Sequence, residues 1–120
     1  MNRSNFIEKA AQWAEGRGFK KIKANCEEFE TPSSFNRPDE NLRVTPDATG
    51  LKRGRKSYFE VMLKTTNPRR KVSKIKLLNR LASMRGGKLF LLAPKGHKAF
   101  VQRIVSRHNL YNAEIVSLQS

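Results

Sequence analysis

The run Lys88-Leu89-Phe90-Leu91-Leu92-Ala93 constrains the fold more than any other part of this chain. It has strand length, it does not alternate, and it lies between Gly86-Gly87 and Pro94, with Gly96 beyond. Such a run fits a strand buried on both faces in the middle of a sheet. Both faces must then be covered, and helical periodicity supplies the covers. Ser4, then Phe6, Ile7, Ala10, Trp13 and Ala14, predicts a capped amphipathic helix over about 5–16, ended by Gly16 and Gly18. Asn67-Pro68, then Val72, Ile75, Leu78, Leu81 and Ala82, predicts a second over about 68–85. Ala99, Phe100, Arg103, Ile104 and Arg107 outline a third.

The remaining strands follow from shorter patterns. Phe19, Ile22, Ala24 and Cys26 suggest one, and residues 113–118 (AEIVSL) the last. Val44–Leu51 and Ser57–Lys64 flank Lys52-Arg53-Gly54-Arg55, where Gly54 suits a tight hairpin turn, so they read as an antiparallel pair. Along the second of these, Tyr58, Glu60, Met62 and Lys64 alternate with Phe59, Val61 and Leu63, which predicts one buried face and one mixed polar face. Residues 30–42, rich in Pro, Ser, Asn and acids, read as a loop of mobile character. The expectation is a single α/β domain over residues 1–120 with a mixed central sheet and the order α-β-β-β-α-β-α-β.

Charge points to the partner. The chain of 120 residues carries 25 Lys and Arg against 10 Asp and Glu, a net charge of +15, which attracts polyanions at long range. Nucleic acid is the expected partner, and charge by itself fits DNA and RNA alike. No apolar run of membrane-spanning length, lipidation signal or secretory signal is visible, so the expectation is a cytoplasmic protein that does not engage membranes. One cysteine, Cys26, excludes an internal disulfide and a cysteine-rich zinc site and reads as a packed strand residue.

Two acids stand out. Between Asn41 and Ala113 there are eighteen Lys and Arg and only Asp47 and Glu60 as acids, one on each strand of the predicted hairpin. Each taken alone could be structural, Asp47 ending the turn after Pro46 and Glu60 pairing with a neighbouring cation. Facing each other across the hairpin, two carboxylates repel unless a cation lies between them, and hard oxygen ligands suit Mg²⁺ or Mn²⁺. Such an ion polarises a phosphoryl group and activates a water for phosphodiester hydrolysis, with a nearby lysine orienting that water or stabilising charge.

Val44-Thr45-Pro46-Asp47, a basic hairpin, and then Phe59-Glu60-Val61 resemble the PD-(D/E)XK nuclease superfamily, whose signature is Pro-Asp on one strand and Glu-x-Lys on the next. The element order resembles that superfamily's α-β-β-β-α-β core, the restriction endonuclease-like core. Glu8 ahead of Gly18-Phe19, and Gly86-Gly87 before a buried strand, look like its small Holliday junction resolvases. The resemblance spans roughly residues 5–93. It implies a metal-dependent endonuclease acting on duplex or branched DNA, with Asp47 and Glu60 holding Mg²⁺ or Mn²⁺ and Glu8 a candidate third acid.

The chain departs from the pattern at Met62, where the family has its lysine. Lys64, one repeat further along the strand face, is the preferred substitute, and Lys71 or Lys74 of the second helix are others. If none serves, the fold is a non-catalytic DNA- or RNA-binding module. Arg53, Arg55 and Lys56 at the hairpin, and Arg69, Arg70, Lys71, Lys74 and Lys76 on the second helix, are the predicted phosphate contacts. His97 and His108 have no shared-metal spacing, and Trp13 reads as core. Cutting both strands of a duplex favours a homodimer.

Overall fold

The computed structural model describes residues 3–37 and 42–118. Its elements are α1 (Arg3–Gly16), β1 (Lys20–Ala24), β2 (Phe35–Arg37), β3 (Leu42–Val44), β4 (Ala48–Lys52), β5 (Arg55–Val61), α2 (Arg69–Met84), β6 (Gly86–Pro94), α3 (Lys98–Arg107) and β7 (Ala113–Leu118). They form one α/β domain around a mixed five-stranded sheet in the order β1-β4-β5-β6-β7. The β1, β4 and β5 strands are antiparallel in sequence, while β5, β6 and β7 run parallel through α2 and α3 as crossovers.

The run over residues 88–93 lies inside the sheet, one place from its β7 edge, and residues 89–93 are buried on both faces as their composition predicts, while Lys88 at its start is exposed. Phe90 and Leu92 point to one face, where α1 packs Phe6, Ile7, Ala10 and Ala14 against Phe59 and Val61. Leu89 and Leu91 point to the other, where α2 and α3 bring Val72, Ile75, Leu78, Phe100, Val101 and Ile104 onto Tyr58 and Met62. Alternation along β5 and β6 therefore feeds two cores, each large side chain contributing about 1.5–3 kcal/mol on burial. At Gly87 an added Cβ would overlap the Lys56 carbonyl, so only glycine lets β6 approach β5 where their register shifts.

Four expectations change. Val44 does not begin the sheet strand: it pairs with Phe35 in a separate β2–β3 ribbon, and β4 starts at Ala48. The predicted loop over 30–42 thus includes strand β2, while residues 38–41 lie outside the described residues. The Tyr58, Glu60 and Met62 face is not open; α2 covers it and all three are at most 1 % exposed. Finally, β5 ends at Val61, so Lys64 is not on the strand but in the exposed segment beyond it, with its backbone N–H donating to His97 Nδ1 at 2.7 Å.

Candidate cation site and nucleic-acid surfaces

The β4–β5 hairpin turns tightly at Arg53-Gly54, both with positive φ (53° and 77°), and pairs Ala48 with Phe59. Extending that register by one residue sets Asp47 beside Glu60. Both are buried, Asp47 at 3 % exposure and Glu60 at 0 %. Backbone donors fix them: the Asp47 N–H donates to Glu60 Oε1 at 3.1 Å, and the Val61 N–H donates to Asp47 Oδ2 at 2.8 Å.

Three cations converge on the pair. Lys71 and Lys74, three residues apart on α2, place their Nζ atoms 2.6 and 2.7 Å from Glu60 Oε2. Arg3, at the start of α1, sets Nη2 at 2.5 Å from Asp47 Oδ2, 3.4 Å from Glu60 Oε2 and 3.1 Å from the Val61 carbonyl oxygen. One guanidinium nitrogen thus marks a point where three oxygens converge. That donor set, two carboxylates and a carbonyl, fits a hard divalent cation with further positions left for water or phosphate.

Burial would raise both carboxyl pKa values, but the outcomes diverge. Burial, then the Glu60 charge, pushes Asp47 up to about 6 against the smaller pull of Arg3, Lys74 and Lys71. Burial acts on Glu60 as well, yet the two lysine ammoniums overcome it and hold Glu60 below its ordinary range. Burial lowers Lys71, partly offset by Glu60. Keeping charges in a core costs several kcal/mol per ion before pairing, so apolar residues would serve stability better, and such clusters concentrate at functional sites.

Glu8 does not join the pair. Half-buried on α1, it helps burial push the Cys26 thiol up. Five helical residues turn about 140°, so Arg3 and Glu8 leave α1 in different directions. Among the described residues no three His, Cys, Asp or Glu side chains form a metal-holding group.

The predicted phosphate contacts divide among separate places. Lys64, Arg70, Lys71 and Lys74, with Arg3 and Arg43, line a cleft of about 490 Å³ beside the acids. Arg53 and Arg55 line another of about 390 Å³, at the opposite end of the sheet. Lys56 lies over the Phe35 and Tyr58 rings at 6.0 and 5.3 Å. Arg69 and Lys76 are exposed on α2. Sequence reasoning passed over Arg3, Arg43 and the Val61 carbonyl. Arg3 precedes the predicted helix and has no periodic signal, and a backbone oxygen leaves none. No protein-family model, curated protein or solved structure matches the chain. Among the described residues no helix is long and apolar enough to cross a membrane.

Proposed function

We propose that the protein is a metal-dependent endonuclease of duplex or branched DNA, on a restriction endonuclease-like core. The observation that carries this reading is the convergence of Asp47, Glu60 and the Val61 carbonyl on one cation position in a basic cleft. Asp47, Glu60 and the Val61 oxygen would hold Mg²⁺ or Mn²⁺, which supplies Lewis-acid polarisation of the phosphate and a water of lowered pKa. For that to happen Arg3 must leave its position, and its half-exposed side chain has the adjoining cleft to move into.

The chain's own residues then divide the work. Arg43, Lys64 and Arg70 track the DNA backbone into the cleft, aided by the positive end of α2. Lys71 takes the place of the lysine that Met62 displaces: it is held on Glu60, and burial favours its losing a proton, so it can orient the attacking water and exchange a proton with it. Lys74 keeps Glu60 ionised. Two copies acting together would cut both strands.

The test is incubation of supercoiled plasmid and a four-way junction with Mg²⁺ or Mn²⁺. Nicking or resolution is expected, lost in Asp47→Ala and Glu60→Ala with DNA retardation retained; intact DNA at high protein in both metals overturns the reading. A second reading is a non-catalytic DNA- or RNA-binding protein, favoured by Arg3 itself, which already balances the acids as a fixed ion-pair network. It expects no heat of Mn²⁺ binding and no nicking in any substrate.

A further inference from the structure

The cleft at the opposite end of the sheet is of another kind. It opens on the α1 face, away from the face onto which Glu60 points. Ser57, on its wall, precedes Glu60 by three residues, about 10 Å along the strand, and its side chain leaves by the other face. The floor is aromatic. The half-buried Trp13 ring lies 5.3 Å from Phe90, and Phe19 lies 5.7 Å from Phe90. The rim is basic: Arg17 sits 4.9 Å over Trp13, Lys52 sits 5.3 Å over Phe19, and Arg53, Arg55 and Lys88 complete it.

These cations differ from those beside Asp47. The one carboxylate lining the cleft, Glu114, pairs with Lys88 at 3.5 Å. Among the described residues no carboxylate pairs with Arg17, Lys52, Arg53 or Arg55. Arg53 also occupies a left-handed turn position, at φ 53°, which Asn or Gly fills at lower cost. A volume of about 390 Å³ admits a small ligand, and an aromatic floor under cations that have no carboxylate partner among the described residues suits a planar base joined to phosphate.

We propose that this cleft is a second nucleic-acid contact, which takes an unstacked base on Trp13 and the adjoining phosphates on Arg17, Arg53 and Arg55. Arg17 covers the ring while the cleft is free and moves to a phosphate as the base arrives. The ligand is single-stranded nucleic acid, such as the unpaired segment beside a branch or end.

Trp13 is the only tryptophan of the chain, so its emission reports on this cleft directly. The experiment titrates the full chain carrying Asp47→Asn with an oligothymidylate of about eight nucleotides in chelator, independent of cleavage at the acid pair. Quenching of Trp13 is expected. Arg53→Asn and Arg17→Ala should each weaken the midpoint roughly fivefold at 0.1 M salt and flatten the salt slope by about 0.7. Arg53→Asn suits the turn, so a weakened midpoint with unchanged or raised thermal stability marks a binding role rather than a folding one. Unchanged Trp13 emission on oligonucleotide binding overturns the proposal. So does equal quenching by blunt duplex, which offers no free base, and so does equal affinity for thymidine monophosphate, which would make this a free-nucleotide site.

Discussion

The two ends of the β4–β5 hairpin use the same cationic side chains to opposite effect. Near Asp47 and Glu60, three cations are tied to two buried carboxylates, and the oxygens facing inward form a seat for positive charge. Beside the Arg53-Gly54 turn Arg17 and Lys52 rest on aromatic rings, and the one lining carboxylate, Glu114, pairs with Lys88, so the cleft keeps a positive rim. Net charge therefore says only that polyanions are attracted; what a given lysine or arginine does depends on whether a buried acid lies within reach.

Cleavage should separate the two ends most widely. Asp47→Ala or Glu60→Ala removes several kcal/mol of transition-state stabilisation, a fall of about 10³-fold or more in the plasmid-nicking rate, while Arg53→Asn leaves single-site nicking within about fivefold. Stability should separate them next. Glu60→Ala leaves two largely buried ammoniums without their carboxylate and should cost about 3 kcal/mol in urea unfolding, whereas Arg55→Ala, at an exposed side chain, should stay within about 0.5 kcal/mol. Comparable losses from both would end the contrast between a fixed and an open cluster.

Lysine substitutions sharpen the acid end. Lys71→Met should lower the nicking rate about 10²-fold, and Lys64→Ala only about fivefold through weaker DNA binding; the reverse order would favour Lys64 over Lys71 for the proposed role. Arg3→Ala should tighten Mn²⁺ binding about tenfold by calorimetry, since the guanidinium and the ion compete for the same oxygens.

Titration gives graded effects. With Asp47 at about 6, protons compete with Mn²⁺ below that pH, and affinity should fall up to about tenfold per pH unit. For folding, Asp47 retains between its ordinary 3.8 and about 6 a proton that the unfolded chain releases, so its contribution to stability declines as pH rises through that window. Asp47→Asn should remove this decline. Glu60 works the other way: its contribution is present above its ordinary 4.5 and is lost as pH falls through its lowered folded value. A chemical-denaturation series from about pH 2 to about 7 on Asp47→Asn and Glu60→Gln separates the two signs.

Local pattern alone determined the three helices, the doubly buried inner strand and the hairpin, because periodicity, Gly and Pro report directly on which faces are covered and where the chain turns. It also brought out Asp47 and Glu60, since isolated acids in a basic stretch are visible without coordinates. The burial of the second face of β5 is not legible locally, because Tyr58, Glu60 and Met62 look mixed in sequence and only α2 packing over them makes a carboxylate interior. Lys64 fits the strand period, but β5 ends three residues earlier. Arg3, the Val61 carbonyl and the Trp13 floor could come only from tertiary structure. They join α1 to a hairpin more than thirty residues away, and no local period encodes which cation an inter-element contact brings to which oxygen or ring.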